Sequence, residues 1–115
     1  MTTRVKKLLT AKQFAILALR KSSYRWIPRE EARRLAKIGR NQYKCSDCSK
    51  IFGRKDTKID HINPVVPVSG WVGFDSYVDR LYCETIGFQV LCKDCHSKKT
   101  KIENIERKRL RNLTK

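Results

Sequence analysis

The chain has 115 residues, which is enough for one domain and too few for two. It carries 27 Lys and Arg against 11 Asp and Glu, so its formal net charge is +16, which favours a polyanion as partner. No apolar run is long enough to cross a bilayer, and the early apolar run over residues 14–19 is short for a secretory signal. We therefore expect neither a membrane-spanning protein nor a secreted one.

Basic residues concentrate towards the two ends of the sequence. Residues 1–44 and 97–115 are strongly basic, whereas residues 45–96 are close to neutral. This layout fits a central site flanked by segments that bind phosphates, although two solvated basic helices would have the same composition. We predict a basic helical N-terminal arm over residues 1–42, a core over residues 43–106 and a basic C-terminal tail over residues 107–115.

Two helices are predicted in the N-terminal arm. The apolar residues of segment 11–21 indicate a helix that ends at Ser22-Ser23. Pro28 suits the start of a second helix, and Gly39 suits its end. This second segment supplies most of the side chains that we predict to contact nucleic acid, which are Arg29, Arg33, Arg34, Lys37 and Arg40.

The core is predicted to contain short strands and a long closing helix. The sequence indicates a hairpin over residues 43–52, a strand over 57–62, a short helix from Asp75 or Ser76, a strand over 87–91 and a helix over 93–109. On the last helix Ile102 and Ile105 are expected to face inward, and the residues after it to fray. The aromatic residues of segment 64–87 form either a flap facing a substrate or, as we favour, a small core covering the 43–52 hairpin. These aromatic residues are Trp71, Phe74, Tyr77 and Tyr82.

Four of the five cysteines form two C-x-x-C pairs, Cys45 with Cys48 and Cys92 with Cys95. Because this spacing lets a tight turn place both sulfurs on one cation, we predict a structural zinc bound by four thiolates. Two unrelated thiol turns and a redox pair are the alternatives. Zinc would also stabilise a domain that is too small for an extensive core. Cys83 has no partner at metal spacing and is interpreted as a small buried residue or a free thiol.

Both histidines lie next to residues that commonly bind metals. His61 follows Asp60 on the predicted strand, and His96 follows Cys95 on the last helix. Because neighbouring helical residues point about 100° apart, we expect His96 to face the strand rather than the zinc. A carboxylate and an imidazole there suit a divalent ion, and the other imidazole suits a base near neutral pH. A buried strand histidine and a zinc-binding helix histidine are the alternatives.

Three motifs occur together within residues 43–103. They are Cys45-x-x-Cys48, Ile59-Asp60-His61-Ile62-Asn63-Pro64 and Leu91-Cys92-x-x-Cys95-His96-x-x-Lys99-Thr100. Their combination resembles the HNH endonuclease family, most of all its small zinc-stabilised members from bacteriophages and mobile elements. The resemblance implies an α+β fold in which residues 43–106 form a ββα-metal core, with a treble-clef-like zinc finger, and the basic helices precede it.

By position, the resemblance implies that His61 is the general base and that Asp60 and His96 bind a catalytic Mg²⁺, Mn²⁺, Ni²⁺ or Zn²⁺. It assigns Cys45, Cys48, Cys92 and Cys95 to a separate structural zinc. The implied reaction is hydrolysis of a DNA phosphodiester bond, in which the metal stabilises the leaving 3′ oxygen. We expect Lys99 to contact the DNA, no membrane partner, and a location in the cytoplasm of a phage-infected bacterium. A non-catalytic zinc-containing DNA-binding or packaging accessory is the alternative.

The sequence departs from the family pattern at one position. The family's middle asparagine usually lies shortly before the second C-x-x-C and helps to fix the strand that bears the histidine. Gly87 occupies roughly that place, and Gln89 or a backbone contact is the expected substitute. We expect this change to affect the positioning of the histidine more than the chemistry.

Overall fold

The structure is a computed structural model in which residues 9–113 are described. The first eight residues of the predicted arm and the last two of the predicted tail lie outside this range. The fold is a mixed α+β arrangement, as the sequence predicts. Its elements are α1 (Ala11–Ser23), α2 (Ile27–Ala36), β1 (Lys37–Gly39), β2 (Gln42–Lys44), β3 (Ile51–Phe52), β4 (Thr57–His61), α3 (Phe74–Leu81), β5 (Phe88–Cys92) and α4 (Lys93–Leu113). Within residues 9–113, no helix is both long and apolar enough to cross a bilayer.

The second helix ends earlier than predicted. α2 stops at Ala36, and the next three residues form β1, which pairs with β2 in an antiparallel hairpin. Gly39 is therefore part of this hairpin and does not end the helix. A Cβ at Gly39 would lie 2.5 Å from Gln42 Oε1, and Asn41 makes the turn at φ 52°. A larger residue at position 39 would displace the Gln42 side chain, which packs over this glycine, and a glycine in such a hairpin resembles a helix end in the sequence.

The cysteine hairpin forms as predicted over residues 43–52. β2 pairs with β3, and Tyr43 lies opposite Phe52. In the loop between these strands, the Cys45 N–H donates to Lys50 O at 2.9 Å, and Ser49 adopts φ 65°. The Ser46 N–H donates to Val90 O at 2.8 Å, which attaches this loop to β5. This bond brings the two C-x-x-C segments together although they are more than forty residues apart in the sequence.

β4 and β5 form a second antiparallel pair, and α4 starts directly after β5. The register runs from Thr57 opposite Cys92 at one end to His61 opposite Phe88 at the other. Phe88, Val90 and Leu91 are buried, and α2 packs against β5. The N-terminal helix α2 therefore covers the strand that leads to the second cysteine pair.

The inward face of α4 differs from the prediction. Ile102 and Ile105 are 67% and 68% exposed, so the expectation that they face inward is wrong. The helix contacts β4 and β5 through its first turns, where Cys95 is buried and Lys99 is half-buried. α4 also continues to Leu113, beyond the predicted end at Arg109.

The aromatic residues of segment 64–87 cluster away from the cysteines. The Trp71 ring lies 5.1 Å from the Phe74 ring and 5.3 Å from the Tyr77 ring, between centroids. The Tyr82 hydroxyl donates to Leu19 O at 2.9 Å, so this region is attached to α1. The prediction that these aromatic residues cover the cysteine hairpin is therefore wrong. It is Phe52 that packs against the buried cysteines.

Candidate metal centres and catalytic site

The four cysteines of the two C-x-x-C pairs converge on one point. Their sulfurs all lie within 4.8 Å of one another, and Cys48 Sγ and Cys92 Sγ are 4.0 Å apart. Four sulfurs bound tetrahedrally at about 2.3 Å from a zinc ion are separated by about 3.8 Å, so the cluster could hold a structural metal such as zinc. Cys45, Cys92 and Cys95 are buried, whereas Cys48 is exposed. The alternative of two unrelated thiol turns is wrong, because the turns meet.

Backbone N–H groups donate hydrogen bonds to the sulfurs of this cluster and favour the thiolate form that binds a cation. The Cys92 N–H donates to Cys45 Sγ at 3.3 Å, and the Cys95 N–H donates to Cys92 Sγ at 3.4 Å. Burial raises the pKa of Cys45, but backbone N–H donors lower it overall to about 6. The pKa of Cys95 is raised, first by the hydrogen bond of its thiol to Cys92 and then by burial. One thiolate therefore forms readily, whereas the complete set requires a bound cation and releases protons when it forms.

Asp60 and His96 form a second pair of metal-binding groups, separate from the sulfurs. Asp60 Oδ1 lies 3.7 Å from His96 Nε2, and their side chains are 13% and 32% exposed. Two ligand atoms that each lie about 2.1 Å from one cation can be separated by at most about 4.2 Å, so this pair fits a shared ion. Among residues 9–113, the cysteine cluster does not include His96. His96 thus faces the strand, as predicted from the helical geometry.

The second oxygen of Asp60 is held by two donors. Gln89 Nε2 donates to Asp60 Oδ2 at 3.0 Å, and Lys99 Nζ lies 3.1 Å from the same oxygen. Because Asp60 and Gln89 are directly opposite in the β4–β5 register, this contact follows from the strand pairing. The two donors leave Oδ1 directed towards His96.

His61 is fixed in one tautomer by a backbone carbonyl. His61 Nε2 lies 2.9 Å from Leu81 O, and because a carbonyl only accepts, Nε2 carries the hydrogen. The lone pair is therefore on Nδ1, the nitrogen that can take a proton. The ring also packs against Phe88, with 4.7 Å between centroids. His61 is the last residue of β4 and lines the same cleft as Asp60, which meets the condition that the strand ends there.

Lys99 was predicted to contact DNA, but its ammonium group binds within the protein. Nζ donates to His61 O at 3.0 Å, lies 3.1 Å from Asp60 Oδ2 and donates to Glu103 Oε2 at 2.8 Å. Burial lowers the pKa of Lys99, but the hydrogen bonds to Glu103 and Asp60 raise it overall, so the group stays charged. These three acceptors match the three N–H donors of the ammonium. Lys99 thus connects the end of β4 to α4.

The remaining predicted nucleic-acid contacts lie on α2 and on the first hairpin. Arg29 and Arg33 lie 3.3 Å and 3.5 Å from the Glu30 carboxylate, and Arg34 pairs with Glu31. Lys37 on β1 and Arg40 in the following turn are exposed. Of the predicted contacts, Arg29 and Lys99 line the cleft that contains Asp60 and His61.

The structure gives a physical reason for the glycine at position 87. A Cβ there would lie 2.6 Å from the Cys83 sulfur, so a larger side chain requires that this part of the chain move. Gln89, two residues later, makes the contact to Asp60 instead. Cys83 itself is half-buried and away from the cysteine cluster, and burial raises the pKa of its thiol.

Some contributors to this site were missed from the sequence. Glu103 follows Lys99 by four residues, and this helical spacing is a signal that could have suggested the pair. The Leu81 carbonyl carries no signal of its own, because any residue supplies a backbone oxygen.

Comparisons with known proteins do not identify a family for this chain. Neither a scan of protein-family models nor searches of curated proteins and solved structures gave a match. Its function is therefore inferred from the geometry of the described residues.

Proposed function

We propose that this protein is a metal-dependent endonuclease of the HNH type that hydrolyses phosphodiester bonds in DNA. The observation that carries this proposal is the approach of Asp60 Oδ1 to His96 Nε2, at 3.7 Å, in a site separate from the cysteine cluster. The β4–β5 pair followed directly by α4 is consistent with the ββα-metal core that the resemblance implies.

Hydrogen bonds fix the positions of His61 and Asp60 in this site, and the atom that each one presents determines its role. His61 Nδ1 accepts a proton from water, while the Nε2–H bond to the Leu81 carbonyl stabilises the imidazolium that results. A divalent ion at Asp60 and His96 would supply Lewis-acid stabilisation of the leaving oxygen. Gln89 and Lys99 hold Asp60 Oδ2, so that Oδ1 is oriented before an ion binds. Each role uses an atom that is already positioned.

A second function is favoured by the small number of ligands. Within residues 9–113 the second ion has two protein ligands, Asp60 and His96, and Lys99 already provides a positive charge at 3.1 Å from Asp60. A zinc-containing DNA-binding or packaging accessory without catalysis would need no more than this. If the protein has this accessory function, the Lys99 ammonium would neutralise the Asp60 carboxylate at all times.

A plasmid assay separates the two functions. Zinc-loaded protein is incubated with supercoiled plasmid and Mg²⁺, Mn²⁺ or Ni²⁺, and the parent is compared with His61→Ala. We expect nicking by the parent and a loss of at least about 100-fold in the variant, because the water loses its base. Zinc content and DNA binding of the variant should match the parent. Full activity in His61→Ala contradicts the assignment, and duplex binding without nicking in any metal supports the accessory function.

A further inference from the structure

A cleft of about 590 Å³ lies beside His61, between the N-terminal helices and the core. We propose that this cleft binds one unstacked nucleotide of single-stranded DNA, so that the protein acts on single-stranded or frayed DNA in preference to intact duplex. The inference rests on the proposed function, because it places the substrate next to Asp60 and His61. The volume falls within the range of sites that enclose small ligands.

One side of the cleft is suited to a phosphate group. Arg20 at the end of α1 and Arg29 of α2 both line it. The Arg29 side chain is 15% exposed and lies 3.3 Å from the half-exposed Glu30 carboxylate. Burial and then the neighbouring Arg33 lower its pKa despite Glu30, so a further anion beside Arg29 would stabilise its charge. Guanidinium groups bind phosphate oxygens in a bidentate manner. Arg29 also lies over the Tyr24 ring, 4.8 Å from its centroid, which holds the guanidinium in place.

The other charged groups of the cleft are already engaged. Asp60 and Glu103 are both bound by Lys99, and Arg107 donates to the Val66 and Pro67 carbonyls. Apart from Asp60 Oδ1, which we propose as a ligand of the divalent ion, the charge that is available in the cleft is the positive charge of Arg20 and of Arg29, which keeps one contact to the Glu30 carboxylate. Away from the ion, an anionic group is therefore favoured over a cationic one.

Another part of the cleft lining is apolar and aromatic, and it includes Val65, Val66, Trp71 and Leu81. Trp71 is 37% exposed, packs against Tyr77 and has the Lys12 ammonium 4.2 Å from its ring centroid, so the indole ring is fixed and a further positive charge lies beside it. This lining is suited to the apolar surface of a base, and the cationic side chains are suited to its phosphate. One nucleotide combines these two chemical properties.

A base of intact duplex DNA would have to leave its stack to enter the cleft. This extrusion costs unstacking and unpairing free energy. Single-stranded DNA avoids most of this cost. We therefore expect the protein to prefer single-stranded DNA over duplex DNA, and not one base sequence over another.

The preference is tested with the zinc-loaded parent protein in the absence of Mg²⁺, Mn²⁺ and Ni²⁺, which separates binding from cleavage. Fluorescence anisotropy measures its affinity for one labelled oligonucleotide as a single strand, as a duplex and as a single strand with abasic positions. We expect the intact single strand to bind at least about tenfold more tightly than either other form. A free deoxynucleoside monophosphate is the fourth ligand, and we expect it to compete only weakly because it lacks the neighbouring phosphates.

Charge variants locate the binding to the cleft. Arg20→Gln combined with Arg29→Gln should weaken single-strand binding by about tenfold relative to the same protein without them. Arg109→Gln combined with Lys101→Gln is the matched control, because it also removes two positive charges and both residues are exposed outside the cleft lining. We expect a change of less than about threefold for these two exposed charges.

Each result decides the inference. Duplex binding as tight as single-strand binding, no effect of abasic positions, or equal losses in the cleft and control variants would overturn it. A monophosphate that binds as tightly as the oligonucleotide would assign the cleft to free nucleotides and also overturn it. Retained single-strand preference in a protein that never nicks plasmid would refute the nuclease while the cleft assignment stands.

Discussion

The two candidate metal centres lie near opposite ends of the β4–β5 pair and differ in how complete they are. At one end Cys92 faces Thr57 and belongs to a set of four sulfurs, three of them buried. At the other end Asp60 and His96 contribute two donors, and a lysine lies beside them. Structural zinc sites are closed by protein ligands, whereas catalytic sites keep positions open for water and substrate. This difference is the basis of our proposal that the first centre stabilises the fold and that the second takes part in chemistry.

We call the four-cysteine cluster the closed centre and the Asp60–His96 pair the open centre. The largest effect on stability should appear when a ligand of the closed centre is removed. Cys92→Ser should abolish zinc binding and unfold the protein at room temperature, because apparent zinc-binding free energies are on the order of 10 kcal/mol and become folding free energy. Thermal melting followed by circular dichroism, with zinc content measured in parallel, checks this. Cys83→Ser is the control and should change the melting temperature little. A Cys92→Ser protein that melts like the parent would show that the cluster does not stabilise the fold.

Acidification should release zinc from the closed centre. The pKa of Cys45 is lowered to about 6, so its thiolate persists above that pH and is lost as the pH falls through it. Protons compete with zinc for the other thiols already above pH 6, and below pH 6 they also protonate Cys45, so we expect the affinity there to fall by at least about tenfold per pH unit. Competition with a chelating dye between pH 5 and pH 8 measures this. A zinc affinity that stays constant below pH 6 would contradict the thiolate assignment.

A smaller effect, on nicking activity, is expected when a hydrogen bond that orients Asp60 in the open centre is removed. Gln89→Leu removes the donor to Asp60 Oδ2 at similar volume, and we expect nicking to fall by about tenfold while the melting temperature changes little. The activity should be partly recovered at higher Mn²⁺ concentration, because the defect lies in the orientation of a ligand. An equal loss at every Mn²⁺ concentration would argue against this role.

The sequence was sufficient for features that depend on local patterns. The cysteine spacing predicted the cluster, and apolar alternation predicted β4. The position of His96 followed from the helical rotation between neighbouring residues. Each of these relations involves residues close together in the sequence, or identical chemistry repeated at a fixed spacing.

Features that depend on contacts between residues far apart in the sequence could not be predicted from local patterns. Gly39 has the same local signal at a helix end and in a tight hairpin, and the pairing of β1 with β2 determines which one forms. The contact of Lys99 with Asp60 joins residues 39 positions apart, so no local pattern predicts it. The burial of Ile102 and Ile105 depended on whether anything packs against the later turns of α4, and periodicity alone does not contain that information.

The central claim is that a divalent ion binds at Asp60 and His96, apart from the cysteine cluster. It is tested most directly by titrating the zinc-loaded protein with Mn²⁺ and counting bound ions by electron paramagnetic resonance. Mn²⁺ prefers oxygen and nitrogen ligands and does not displace zinc from thiolates. We predict one Mn²⁺ site per chain in the parent and its loss in Asp60→Asn, with zinc retained in both. No bound Mn²⁺ in the parent at millimolar concentration, or the same binding in Asp60→Asn, would contradict the claim.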